Sequence, residues 1–159
     1  MTIRKRLDSI TCIIDGTPLL KESTEIVEGF IEREGIITGS SAWGVETKDS
    51  DIDVMFEPDC ALTYDLVMRN HNGLYINAYN EDSVHYRGVG LKSCYVLLEG
   101  NIYNLLFFSS EGHYQAWFGA TQQMKILSQL EWFKKKIKDK ETRIEIFEDL
   151  KSTYIGEYN

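Results

Sequence analysis

The chain has 159 residues, 43% hydrophobic and 12% aromatic, with only two prolines and a formal net charge of −8. That composition supplies one globular core and excludes intrinsic disorder, and no run approaches the roughly 18 apolar residues of a membrane span. The acidic balance argues against a broad electrostatic grip on duplex nucleic acid.

The opening stretch MTIRKRLDSITCIIDG is basic, then apolar for too few residues to serve as a signal peptide, so a cytoplasmic protein without membrane contact is expected. Cys12, Cys60 and Cys94 share no CxxC or Cys/His spacing and read as small buried hydrophobes rather than zinc ligands. His71, His85 and His113 are likewise isolated.

In chain order, SITCIIDGTPLL resembles a hairpin turning at Asp15-Gly16. STEIVEGFIEREG predicts a helix capped by Ser23 or Thr24, with Ile26, Val27, Phe30 and Ile31 as the buried stripe and Gly35 as the stop. IITG reads as a short buried strand, SSAW as a single helical turn, and DIDVMF as a second strand ended by Glu57-Pro58. ALTYDLVMRN is a helix candidate, and LYINAYN fits strand or helix. KSCYVLLE and IYNLLFFS then form a hairpin about Gly100-Asn101. Residues 111–136 and 138–154 predict two helices. Their apolar positions, Trp117, Met124, Leu127 and Leu130, then Ile144, Phe147 and Leu150, recur at helical spacing. The expected class is α/β (α+β) with a mixed sheet over residues 1–110, and C-terminal helices over 111–159 packed on it as one compact domain.

The informative stretch is ITGSSAWGVETKDSDIDVMF, residues 37–56. Residues two apart in a strand share a face, so Asp51 and Asp53 are expected side by side, with Ile52 and Val54 directed into the core. Neighbouring carboxylates repel unless solvent or a cation neutralises them, and Mg²⁺ prefers carboxylate oxygens together with substrate phosphates. Gly39 allows a ligand close to the backbone, and Ser40 with the N–H groups after it offers a small anion site. Read structurally, the Gly-Ser pair is a capped turn and the aspartates an exposed strand face; together they point to a nucleoside triphosphate.

GSSAWGVETKDSDIDV resembles the signature of the nucleotidyltransferase superfamily, the polymerase β-like minimal fold and its short phage-type members. Gly39, Ser40, Gly44, Ser50, Asp51 and Asp53 match it, a coincidence on the order of 10⁻⁷ per window at average composition. The resemblance implies transfer of a nucleoside monophosphate from an NTP to an acceptor, with pyrophosphate released by a two-metal mechanism. In that scheme Gly39 and Ser40, with Ser50 nearby, bind the nucleotide, and Asp51 and Asp53 hold Mg²⁺ or Mn²⁺. A third carboxylate is expected from a later strand, where this chain carries Asn104; Glu99 is the fallback. Trp43 stands where many relatives have arginine. An amide cannot act as a base near neutral pH. The sequence therefore also admits a catalytically degenerate nucleotide-binding protein, or a regulatory, antitoxin-like interaction module. The acceptor is unspecified, a small molecule or protein being favoured over nucleic acid, and the oligomeric state is open. The basic run 134–143, with six basic residues against two acidic ones, reads as a solvated helix face. Arg143 is its candidate for nucleotide contact. Arg87 and Lys92 read as surface residues, and Tyr114 and Trp117 as core.

Overall fold

The computed structural model describes residues 21–70, 75–77, 90–98 and 100–158. The expected N-terminal hairpin lies outside them, as do Cys12, His71, His85, Arg87 and Glu99. The class is mixed α/β. Helix α1 (Lys21–Glu34) leads into β1 (Ile36–Thr38), the one-turn helix α2 (Gly39–Trp43) and β2 (Ile52–Phe56). Helix α3 (Tyr64–Asn70), β3 (Tyr75–Asn77), β4 (Leu91–Leu98) and β5 (Asn101–Phe108) follow. The chain ends in α4 (Glu111–Leu127), α5 (Glu131–Lys136) and α6 (Lys140–Tyr158).

The five strands lie in the order β1-β2-β5-β4-β3. Among the described strands, only β2 and β5 run parallel; every other neighbouring pair is antiparallel. The β4–β5 hairpin closes at Leu98 opposite Asn101, with Gly100 at a φ of 81°, a left-handed conformation that glycine adopts without strain.

Both faces of this sheet are covered. On one side Val54, Phe56, Cys94, Val96, Leu105 and Phe107 pack with Val27, Phe30 and Ile31 of α1 and Val67 of α3. On the other, Met55, Leu91, Leu106 and Phe108 pack with Trp117, Ala120 and Met124 of α4, Phe133 of α5 and Phe147 of α6. Phe147 sits 5.2 Å from the ring centres of both Trp43 and Trp117. The last helix is thereby a wall of the core.

Of the boundaries that differ from the sequence reading, three have a local cause. Helix α1 already runs from Lys21, so Ser23 and Thr24 lie inside it. Lys21 and Glu22 are good helix formers and extend it upstream. The expected helix over 111–136 breaks at 128–130. There the Ser128 hydroxyl donates to the Lys125 carbonyl at 3.0 Å, and Leu130 is left 47% exposed rather than buried. The last helix starts afresh because Asp139 accepts both the Thr142 N–H at 3.0 Å and its hydroxyl at 2.7 Å, an N-cap that the sequence reading passed over.

Phe147→Ala is expected to cost about 3–5 kcal/mol, the usual loss for emptying a buried aromatic site. Urea unfolding followed by tryptophan fluorescence measures it. A loss under about 1 kcal/mol would mean that α6 does not share the core.

Candidate functional site

β2 begins beside β5, and the parallel register sets Asp53 directly opposite Asn104. Antiparallel pairing sets Asp53 opposite Thr38 on its other side. The residue after Thr38 is Gly39, so strand pairing alone carries the Gly-Ser turn to the aspartate. The contact is close: a Cβ added to Gly39 would collide with Asp53 Oδ2. Gly39 also has a φ of 72°, so both space and backbone conformation require glycine there.

On the β5 side the Asn104 Nδ2 donates to Asp53 Oδ1 at 3.0 Å. Only a donor is stable facing a carboxylate oxygen, which fixes the orientation of the amide. Asn104 is 2% exposed. Asp53 therefore has one oxygen held by an amide N–H and the other pressed against the Gly39 backbone.

Its electrostatics follow from that position. Burial pushes the Asp53 carboxyl well above its ordinary 3.8, and the charge of Asp51 raises it further. The Asn104 hydrogen bond, Arg143 and Lys140 act in the opposite direction. Arg143 carries the mirror image, lowered by its own burial and raised by Asp53 and Asp139. Its Nη1 donates to the Ile137 carbonyl at 3.0 Å, which aligns the side chain across the α5–α6 turn.

The structure thus brings together Gly39, Asp51, Asp53 and Asn104, with Arg143 contributing charge from the last helix. Ser40 follows Gly39 in the turn, and its carbonyl accepts the Val45 N–H at 3.1 Å, closing α2. Ser50 serves the loop. Its hydroxyl accepts the Thr47 N–H at 2.9 Å, and its own N–H donates to the Thr47 carbonyl at 3.0 Å. Trp43 is buried, its indole N–H donating to the Thr121 carbonyl at 3.3 Å.

The basic run is only partly a solvated face. Lys135, Lys136 and Lys138 are exposed, but Lys134 is half-buried, and a Cβ on Gly44 would lie 3.1 Å from its Nζ. Lys140 is exposed yet acts on Asp53 through its charge, and it was missed because a charge run gives no sign of which member lies near the site. The two described cysteines are inert, as expected of buried thiols: burial raises Cys60 to about 11 and Cys94 to about 12.

A cavity of about 450 Å³ opens where β2 and β5 begin, within the range of small-molecule sites. Ile37, Ile52 and Ile102 form its apolar part; Ser41, Glu46, Thr47, Lys48, Ser50 and Asn101 supply polar groups. Asp51 and Asp53 do not line it, although Ser50 and Ile52, the residues flanking Asp51, do. Ile37 and Ile52 belong to the sheet face opposite Asp53, so the cavity shares with the carboxylates only the loop that leads into β2. Among the described residues, no three His, Cys, Asp or Glu side chains gather to hold a metal ion. With Asn104 in the third place, the local donors are two carboxylates and one amide.

No family model matches the chain, and comparison with curated proteins and with solved structures gives no match.

An ionised Asp53 destabilises this fold. The folded state holds that proton more tightly than the unfolded chain, so the penalty is absent below pH about 3.8 and grows as pH rises through the elevated value. In metal-free buffer, Asp53→Asn is expected to stabilise the protein at pH 7 by about 0.5–2 kcal/mol. The gain should shrink toward nothing near pH 4. Urea unfolding of both proteins at the two pH values checks the sign and the pH dependence.

Proposed function

We propose that this chain is a nucleotidyltransferase of the polymerase β-like fold, moving a nucleoside monophosphate from an NTP to an acceptor and releasing pyrophosphate. The observation that carries the reading is the Asp53 carboxylate, lodged between the Gly39 backbone and the Asn104 amide, with Asp51 close enough to raise its pKa. Few structural needs place two like charges there, whereas a cation-bound triphosphate needs both.

The donors fit Mg²⁺ or Mn²⁺. They are hard oxygens, and burial first and then the Asp51 charge raise the Asp53 carboxyl, both of which a bound cation would offset. Asp51 and Asp53 would hold the ion, which when bound neutralises triphosphate charge and stabilises the charge that develops during transfer. Gly39 lets a phosphate approach the main chain, and Ser40 lies next to it. Arg143 and Lys140 add positive charge from the C-terminal segment. An acceptor hydroxyl attacks the α-phosphorus, and the bond to the β-phosphate breaks as pyrophosphate leaves. Asn104 orients Asp53 but takes up no proton near neutral pH, so the hydroxyl proton passes to water or to a phosphate oxygen.

The Asn104–Asp53 hydrogen bond favours a second reading, a nucleotide-binding protein that does not turn its ligand over. Incubation with each labelled NTP and Mg²⁺ or Mn²⁺, with and without cell extract, separates the two. The enzyme reading expects labelled product from the parent chain and a loss of at least about 100-fold in Asp53→Asn. The binder reading expects thermal stabilisation by NTP and metal without transfer, and transfer that appears in Asn104→Asp. Neither transfer nor stabilisation with any nucleotide contradicts both.

A further inference from the structure

Thr38, the residue before Gly39, is 1% exposed, and Thr121 on α4 is fully buried. Their hydroxyl oxygens lie 2.7 Å apart. The Thr121 hydroxyl gives its proton to the Trp117 carbonyl at 2.8 Å, so the proton between the two hydroxyls belongs to Thr38. Thr38 Oγ1 in turn accepts the Trp117 indole N–H at 3.2 Å. The ring is closed: three donors meet three acceptors, all away from water. The Trp117 indole is held in place by Lys151, whose Nζ lies 4.3 Å from its ring centre.

A second bond reaches the same residue. Trp43, the last residue of α2, donates its indole N–H to the Thr121 carbonyl at 3.3 Å. Both ends of the Gly39–Trp43 segment are therefore tied to Thr121, the entry through its hydroxyl and the exit through its carbonyl. A purely apolar contact would pack α4 on the sheet without fixing either end. Strand pairing brings Gly39 to Asp53, and these hydrogen bonds hold the rest of the segment along the helix axis.

We propose that Thr121 is a positioning residue for the nucleotide, setting triphosphate affinity by holding the Gly39–Trp43 segment against Asp53. The inference rests on the proposed function. It places part of the nucleotide site's precision in the C-terminal helices, 83 residues from Thr38 along the chain.

The test measures binding of non-hydrolysable analogues of the four NTPs with Mn²⁺ by calorimetry, well below each protein's unfolding midpoint. Thr121→Val keeps the shape and removes the hydroxyl; Thr121→Ser keeps the hydroxyl. Val96→Ala, fully buried on the other face of the sheet, serves as a destabilised control. Thr121→Val is expected to weaken binding about tenfold, the equivalent of one buried hydrogen bond, with Thr121→Ser and Val96→Ala within about threefold of the parent. If Thr121→Val binds like the parent, or Val96→Ala weakens binding as much, the positioning role is overturned while the proposed function stands. If the parent binds none of the analogues, the proposed function falls and this inference with it.

Discussion

A half-buried carboxylate beside a second carboxylate is the constraint around which this site is arranged. Asp53 faces the covered side of the sheet, and the residues around it relieve its charge in part. Asn104 gives one N–H, Arg143 and Lys140 give positive charge from the C-terminal segment, and Gly39 gives space. The carboxyl nonetheless stays well above its ordinary range. A protein selected for stability alone would place an apolar side chain here, as it does two residues later at fully buried Met55. A second titratable carboxyl kept beside Asp51 is the strongest physical reason to propose a cationic ligand for the site.

The C-terminal helices do two things at once for that site. Trp117, Met124, Phe133 and Phe147 complete the core on the face that carries Asp53 and Asn104, where Asn104 is buried and Asp53 half-buried. The same segment returns Arg143 and Lys140 toward it. In a chain of net charge −8, placing those cations beside the carboxylates is an arrangement in space that overall charge does not reveal.

Much of this was legible in the sequence where the pattern is local. Period-two alternation put Asp51 and Asp53 on one face, and the β4–β5 hairpin followed from two apolar runs about a glycine. Asn104 was placed by counting along β5, and the register sets it opposite Asp53. What stayed hidden depends on pairing between distant segments. Thr121 looks like any helix threonine until α4 is laid over Thr38. Ser50 was a ligand candidate through the signature, with orientation of the loop as the alternative, and its hydroxyl closes the turn with Thr47. The break at residues 128–130 was masked by apolar spacing that continues through Leu130, and the Asp139 cap by the lysines around it.

The account's central claim is that Asp51 and Asp53 together hold a divalent cation with a nucleoside triphosphate. Water-proton relaxation in solutions of Mn²⁺, NTP and protein reads that ternary complex directly, without requiring turnover or an acceptor. The account predicts a relaxation enhancement with the parent chain that is absent when both aspartates are replaced by asparagine. Equal enhancement in the two proteins, or none in the parent with any of the four nucleotides, would contradict it.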